Sequence, residues 1–101
     1  MDPEAISDLN ISDVVQATAG RDRDKFFYVI GEEGMLLLLA NGKDRPLDRP
    51  KRKKCKHVQK VLRSETRVAE KICRGDKVLN SELRRDLAFI AGQMQENNLG
   101  G

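Results

Sequence analysis

Three kinds of side chain in this 101-residue sequence could do chemistry: a dense set of cations, two cysteines and one histidine. The cations crowd into "RPKRKKCKHVQ", Arg49–Gln59, whose first eight residues carry six positive charges. A smaller set alternates with acids in "GRDRDK", Gly20–Lys25. Lysine and arginine at this density attract phosphates, and pairing with phosphates releases condensed counterions. The same composition fits a solvated face or an unstructured tag, and anchoring separates these readings. Cys55 and Val58 interrupt the run with core-type residues, which argues against a tag. The other candidates offer less. His57 has cations as neighbours, which oppose a second positive charge instead of orienting a base, and neither Cys55 nor Cys73 has a relay partner at a useful spacing. Cys55, His57 and Cys73 are too irregularly spaced, and too close to lysines, for a zinc site. Both cysteines therefore read as small, buried, reduced hydrophobes. No "GxxxxGK[ST]" or "GxGxxG" loop is present. The expectation is a protein that is not an enzyme and takes no metal, cofactor or small-molecule substrate.

The net charge of +3 hides a strong asymmetry. Residues 1–42 hold eight acids and three bases, residues 43–63 hold ten bases and two acids, and residues 64–101 hold six of each. An acidic lead, a cationic middle and a balanced tail suit a polyanionic partner met by the middle. The longest apolar run, "MLLLLA", is far short of the ~18 residues a membrane helix requires. The acidic start "MDPEAISDLN" lacks a basic-then-apolar leader, so a cytoplasmic location is expected.

These cations need a scaffold, and short strands supply it. "DVVQAT" and "KFFYVIG" are β-branched and aromatic, as strands favour. "EEG" reads as a hairpin connection into "MLLLLA", a run short enough for a buried strand. Asn41-Gly42 is a favoured type I′ pair, so "KDRPL" should return antiparallel to it. A last strand near Lys53–His57 would turn Cys55 inward and Lys54 and Lys56 outward. Four or five such strands suggest a small closed or nearly closed barrel over residues 1–60. Two short amphipathic helices should follow over residues 61–101. Val61, Val68 and Ile72 mark the first, ended by Gly75; Asn80 caps the second, with a stripe of Leu83, Leu87, Ile90 and Met94. Their apolar faces need a partner, and the barrel is the nearest. "NNLGG" should fray.

The order of "VV…AGRD…K.F.VI", "L.NGK.R" and "PK.KK.KH" resembles the KOW-motif proteins, across about residues 10–60. It is most similar to the ribosomal group that contains the fourteen-e, twenty-seven-e and six-e large-subunit families and their small bacterial relatives. The resemblance implies an SH3-like barrel that binds RNA, usually within a ribosome. It places Gly20, Arg21, Arg23 and Lys25 on an RNA-facing first loop, Lys43 and Arg45 on the hairpin, and Lys51, Arg52, Lys53, Lys54, Lys56 and His57 in a closing basic segment. One departure is Asp24, where the family usually has a glycine in a left-handed turn.

On this reading lysines and arginines contact the phosphates of structured RNA, whose A-form major groove hides its base edges. Phe26, Phe27 and Tyr28 are expected to serve the core more than to stack on bases. A rival of another class is a protein-interaction module of the NusG type, with its helices docked on a ribosomal or transcription protein.

Overall fold

The computed structural model describes residues 9–100; the acidic lead before Leu9 lies outside them. Five strands form one antiparallel sheet: β1 (Asp13–Ala17), β2 (Phe26–Glu33), β3 (Leu36–Ala40), β4 (Lys51–Lys54) and β5 (Val58–Arg63). Their order is β4-β3-β2-β1-β5, so a single 3-10 turn, Cys55–His57, carries the chain from one edge strand to the other. Two helices follow, α1 (Arg67–Arg74) and α2 (Asn80–Gly100). The molecule is thus a small β-rich domain with a helical appendage. α2 runs through the segment expected to fray, as far as Gly100.

The central strands are apolar on both faces, and the packing explains why. Val15, Ala17, Phe27, Val29, Leu37, Leu39 and Val58 meet on the inner face, where Leu9 and Cys55 also pack. Val14, Tyr28 and Ala40 turn to the outer face and meet Val68, Ala69, Leu83, Leu87 and Ile90 of the helices. Strands covered on two sides read as continuous apolar runs, as "DVV" and "FFYVI" do. Phe27 and Tyr28, of which one could have faced solvent, are both fully buried, on opposite faces.

The helices are therefore part of the domain. Thr66 caps α1, its hydroxyl accepting from the Ala69 N–H at 3.2 Å, and Gly75 ends it at φ 78°. A buried polar group ties both helices to the sheet. The Tyr28 hydroxyl donates to Asp86 Oδ2 at 2.7 Å, the Thr66 hydroxyl donates to the same oxygen at 2.6 Å, and Ser64 Oγ lies 2.8 Å from Tyr28 Oη.

Five expectations change. The last strand, expected near Lys53–His57, runs over Lys51–Lys54, and Cys55–His57 form a 3-10 turn instead. Val61 begins no helix: residues through Arg63 belong to β5, three beyond the expected boundary, because they pair with β1 (Asp13 with Arg63, Val14 with Leu62). "KDRPL" forms no strand. Asn41 Oδ1 accepts from the N–H groups of Lys43 (2.9 Å) and Arg45 (3.0 Å), which makes a broad loop, and Lys51–Lys54 return instead. Asn80 does not cap α2. Its Oδ1 accepts from the Leu47 N–H at 2.8 Å, and the Leu79 N–H is held by Glu82 Oε1 at 2.9 Å. Cys73 is exposed on α1, its Sγ 3.2 Å from Ser12 Oγ, and Cys55 is only half-buried; both are free thiols.

Candidate functional site

The β1–β2 connection is folded, not extended. Arg23 N donates to Gly20 O (3.2 Å), Lys25 N to Asp22 O (3.0 Å) and Asp24 N to Ala17 O (2.8 Å), which gives two overlapping turns. Gly20 has φ 85° and Asp24 φ 75°. Asp24 thus takes the left-handed conformation in which the resemblance expects glycine; a short polar side chain tolerates it better than most. The turns also separate the alternating charges differently from an extended strand. Asp22 points inward at 2% exposure, and Arg21, Arg23, Asp24 and Lys25 remain exposed.

A buried carboxylate requires counter-charge. Asp22 Oδ2 lies 3.0 Å from Arg45 Nη2 and 3.3 Å from Lys51 Nζ, and its Oδ1 is 3.6 Å from Lys25 Nζ. Burial pushes the Asp22 carboxyl upward, but hydrogen bonds from Arg45 and Lys51 and their charges outweigh it and hold the group below its ordinary value. Lys25 also donates to Asp44 Oδ2 at 2.6 Å. That bond, helped by one from Asn41, holds Asp44 at about 2.

Strand alternation then divides the basic run. Lys51 and Lys53 pair with Leu39 and Leu37 and share their face; Arg52 and Lys54 take the other. Lys53 is buried, and its ammonium donates to Ala19 O at 2.8 Å, bracing the start of the first loop. Arg52 pairs with Glu33 across the sheet. His57 is half-buried in the 3-10 turn, and its carbonyl accepts from Thr18 N at 2.9 Å.

Three segments distant in sequence therefore converge: the first loop, the loop after β3, and Lys51–His57. Among the twelve candidate residues, Lys25, Arg45, Lys51, Arg52 and Lys53 have partners within the protein. Arg21, Arg23, Lys43, Lys54 and Lys56 are exposed and have no ion-pair partner among the described residues. Gly20 leaves room for the Lys53 ammonium: a Cβ there would sit 3.3 Å from Nζ, at a φ that side chains rarely adopt. Sequence reasoning missed the acids that organise the site, Asp22, Asp44 and Glu33. It also missed Arg84 of α2, whose Nη1 donates to Gly42 O at 2.6 Å and joins the helix to the second loop. Among the described residues no three His, Cys, Asp or Glu side chains gather as a metal site.

No protein-family model matches the chain, and no curated protein matches it.

Proposed function

We propose that this chain is a non-enzymatic RNA-binding protein of the KOW type, working in the cytoplasm as a ribosome-associated component. The strand order, with a 3-10 turn joining the outer strands, fits the SH3-like barrel that the resemblance implies. The reading is carried by one observation: Arg21, Arg23, Lys43 and Lys56, exposed and without an ion-pair partner among the described residues, lie on three chain segments that fold against one another around the first loop. Arg21, Arg23, Lys43, Lys54 and Lys56 contact phosphates along structured RNA, and counterion release supplies much of the affinity. Arg45, Lys51 and Lys53 serve the protein, by shaping the loop that presents the others. The packing of Leu83, Leu87 and Ile90 with Val14, Tyr28 and Ala40 of the sheet supports this reading over the rival in which the helices dock on a protein partner.

Binding of a labelled RNA hairpin, followed across a salt series, tests the proposal. Five contacts give a slope of log affinity against log salt of roughly −3.5 to −4.5, between the single-strand and duplex coefficients. Replacing the five residues together by Gln should remove most of the affinity and the slope and leave the fold intact. A flat salt response in the native chain rejects this function.

A further inference from the structure

A cleft of about 1040 Å3 opens between α2 and the two loops of the candidate site. Its floor is apolar: Phe26 from β2, and Leu87, Ala88 and Ala91 from α2. Its rim is polar, with Asp24 and Lys25 from the first loop, Lys43 and Asp44 from the second, and Arg84 from the helix. Part of this rim is internally satisfied, because Lys25 pairs with Asp44 and Arg84 bonds the Gly42 carbonyl. The Lys43 ammonium and the Asp24 carboxylate are exposed and have no ion-pair partner among the described residues.

We propose that this cleft receives an unpaired nucleotide of the bound RNA. The base lies on the apolar floor, its phosphate meets Lys43, and its N–H edge faces the Asp24 carboxylate. The proposal rests on the RNA-binding reading and deepens it, since unpaired bases are what proteins read by stacking and hydrogen bonding in folded RNA. The charges match this occupant. A nucleotide has an anion at one end, a flat apolar body, and N–H donors on the base edge; the cleft offers a cation, an apolar floor and a carboxylate. An apolar peptide needs neither charge, and a fully paired duplex has no base to insert. The volume is ample for it, slightly above the ~300–1,000 Å3 usual for small-ligand sites. The assignment also gives Asp24 a purpose. A residue with φ 75° is least strained as glycine, and an acid there opposes simple phosphate binding. An N–H edge is what a carboxylate at that position recognises.

The test uses the full chain with two RNA hairpins, one carrying a single bulged guanine and one fully paired. Ala88 is exposed, so Ala88→Phe fills the cleft without entering either core. It should weaken binding of the bulged hairpin at least about fivefold, the equivalent of ~1 kcal/mol of stacking, and leave the paired hairpin unchanged. Asp24→Gly suits the left-handed backbone and should weaken a bulged guanine, with two N–H donors on its edge, more than a bulged uracil with one. If Ala88→Phe affects both hairpins equally, or neither, the cleft assignment falls and RNA binding stands. If the native chain binds neither hairpin, the RNA-binding reading fails and takes this proposal with it. Self-association of the native chain that Ala88→Phe abolishes would give the cleft to a second copy and overturn the proposal.

Discussion

Asp22 decides what most of the nearby cations do. It is buried among Lys25, Arg45 and Lys51, so removing its charge leaves positive groups packed together without compensation. Asp22→Asn should lower stability by about 1–3 kcal/mol in urea denaturation, less than for a wholly buried pair because Arg45 and Lys51 are partly exposed. On the proposed RNA-binding reading, affinity should fall only modestly in this variant, since the exposed cations are untouched and only the loop that presents them is loosened. Because the folded carboxyl is held below its ordinary 3.8, the contribution is present above that pH and disappears as pH falls through the folded value. The cations were legible in the sequence; their counter-ions were not. "RDRD" offers two equivalent acids, and alternation would put Asp22 and Asp24 on one side of an extended strand. Only the paired turns, closed by the Gly20 and Asp22 carbonyls, send one inward and leave the other in solvent.

Among elements, the second loop approaches the backbone at the start of α2 closely. A Cβ on Gly42 would lie 2.2 Å from the Asn80 carbonyl oxygen, and φ there is 77°. Gly42→Ala must move backbone against backbone, so a loss of about 3 kcal/mol or more is expected in thermal or urea unfolding. An ordinary hairpin glycine would lose far less. The sequence shows Asn41-Gly42 as a turn pair, but its service to a helix nearly forty residues later is a long-range fact that no local pattern records. β5 eluded the reading for a similar reason. Val61 falls at helical spacing with Val68 and Ile72, and pairing with β1 overrides that periodicity through Arg63. The strands β1, β2 and β3 and the stripe of α2 were legible because their apolar patterns are continuous and bounded by turn residues.

For the molecule as a whole, Tyr28, Ser64, Thr66 and Asp86 join β2, the chain just after β5 and both helices at one point. Burial and the neighbouring Asp86 carboxylate outweigh the hydroxyls of Ser64 and Thr66, and the phenol is pushed up to about 12. A raised value favours the protonated fold, so this contribution is complete below the ordinary 10.0 and is lost as pH rises towards 12, on the order of 2–3 kcal/mol. Alkaline titration followed by circular dichroism should show strand and helix signals failing together in that window. Tyr28→Phe should flatten the dependence. The caged carboxylate of the first loop has a kinetic corollary as well. With its turns already set by Asp22 and braced by Lys53, the loop loses little freedom when a ligand arrives, so, if the proposed RNA binding holds, any conformational adjustment on association falls to the nucleic acid and not to the protein.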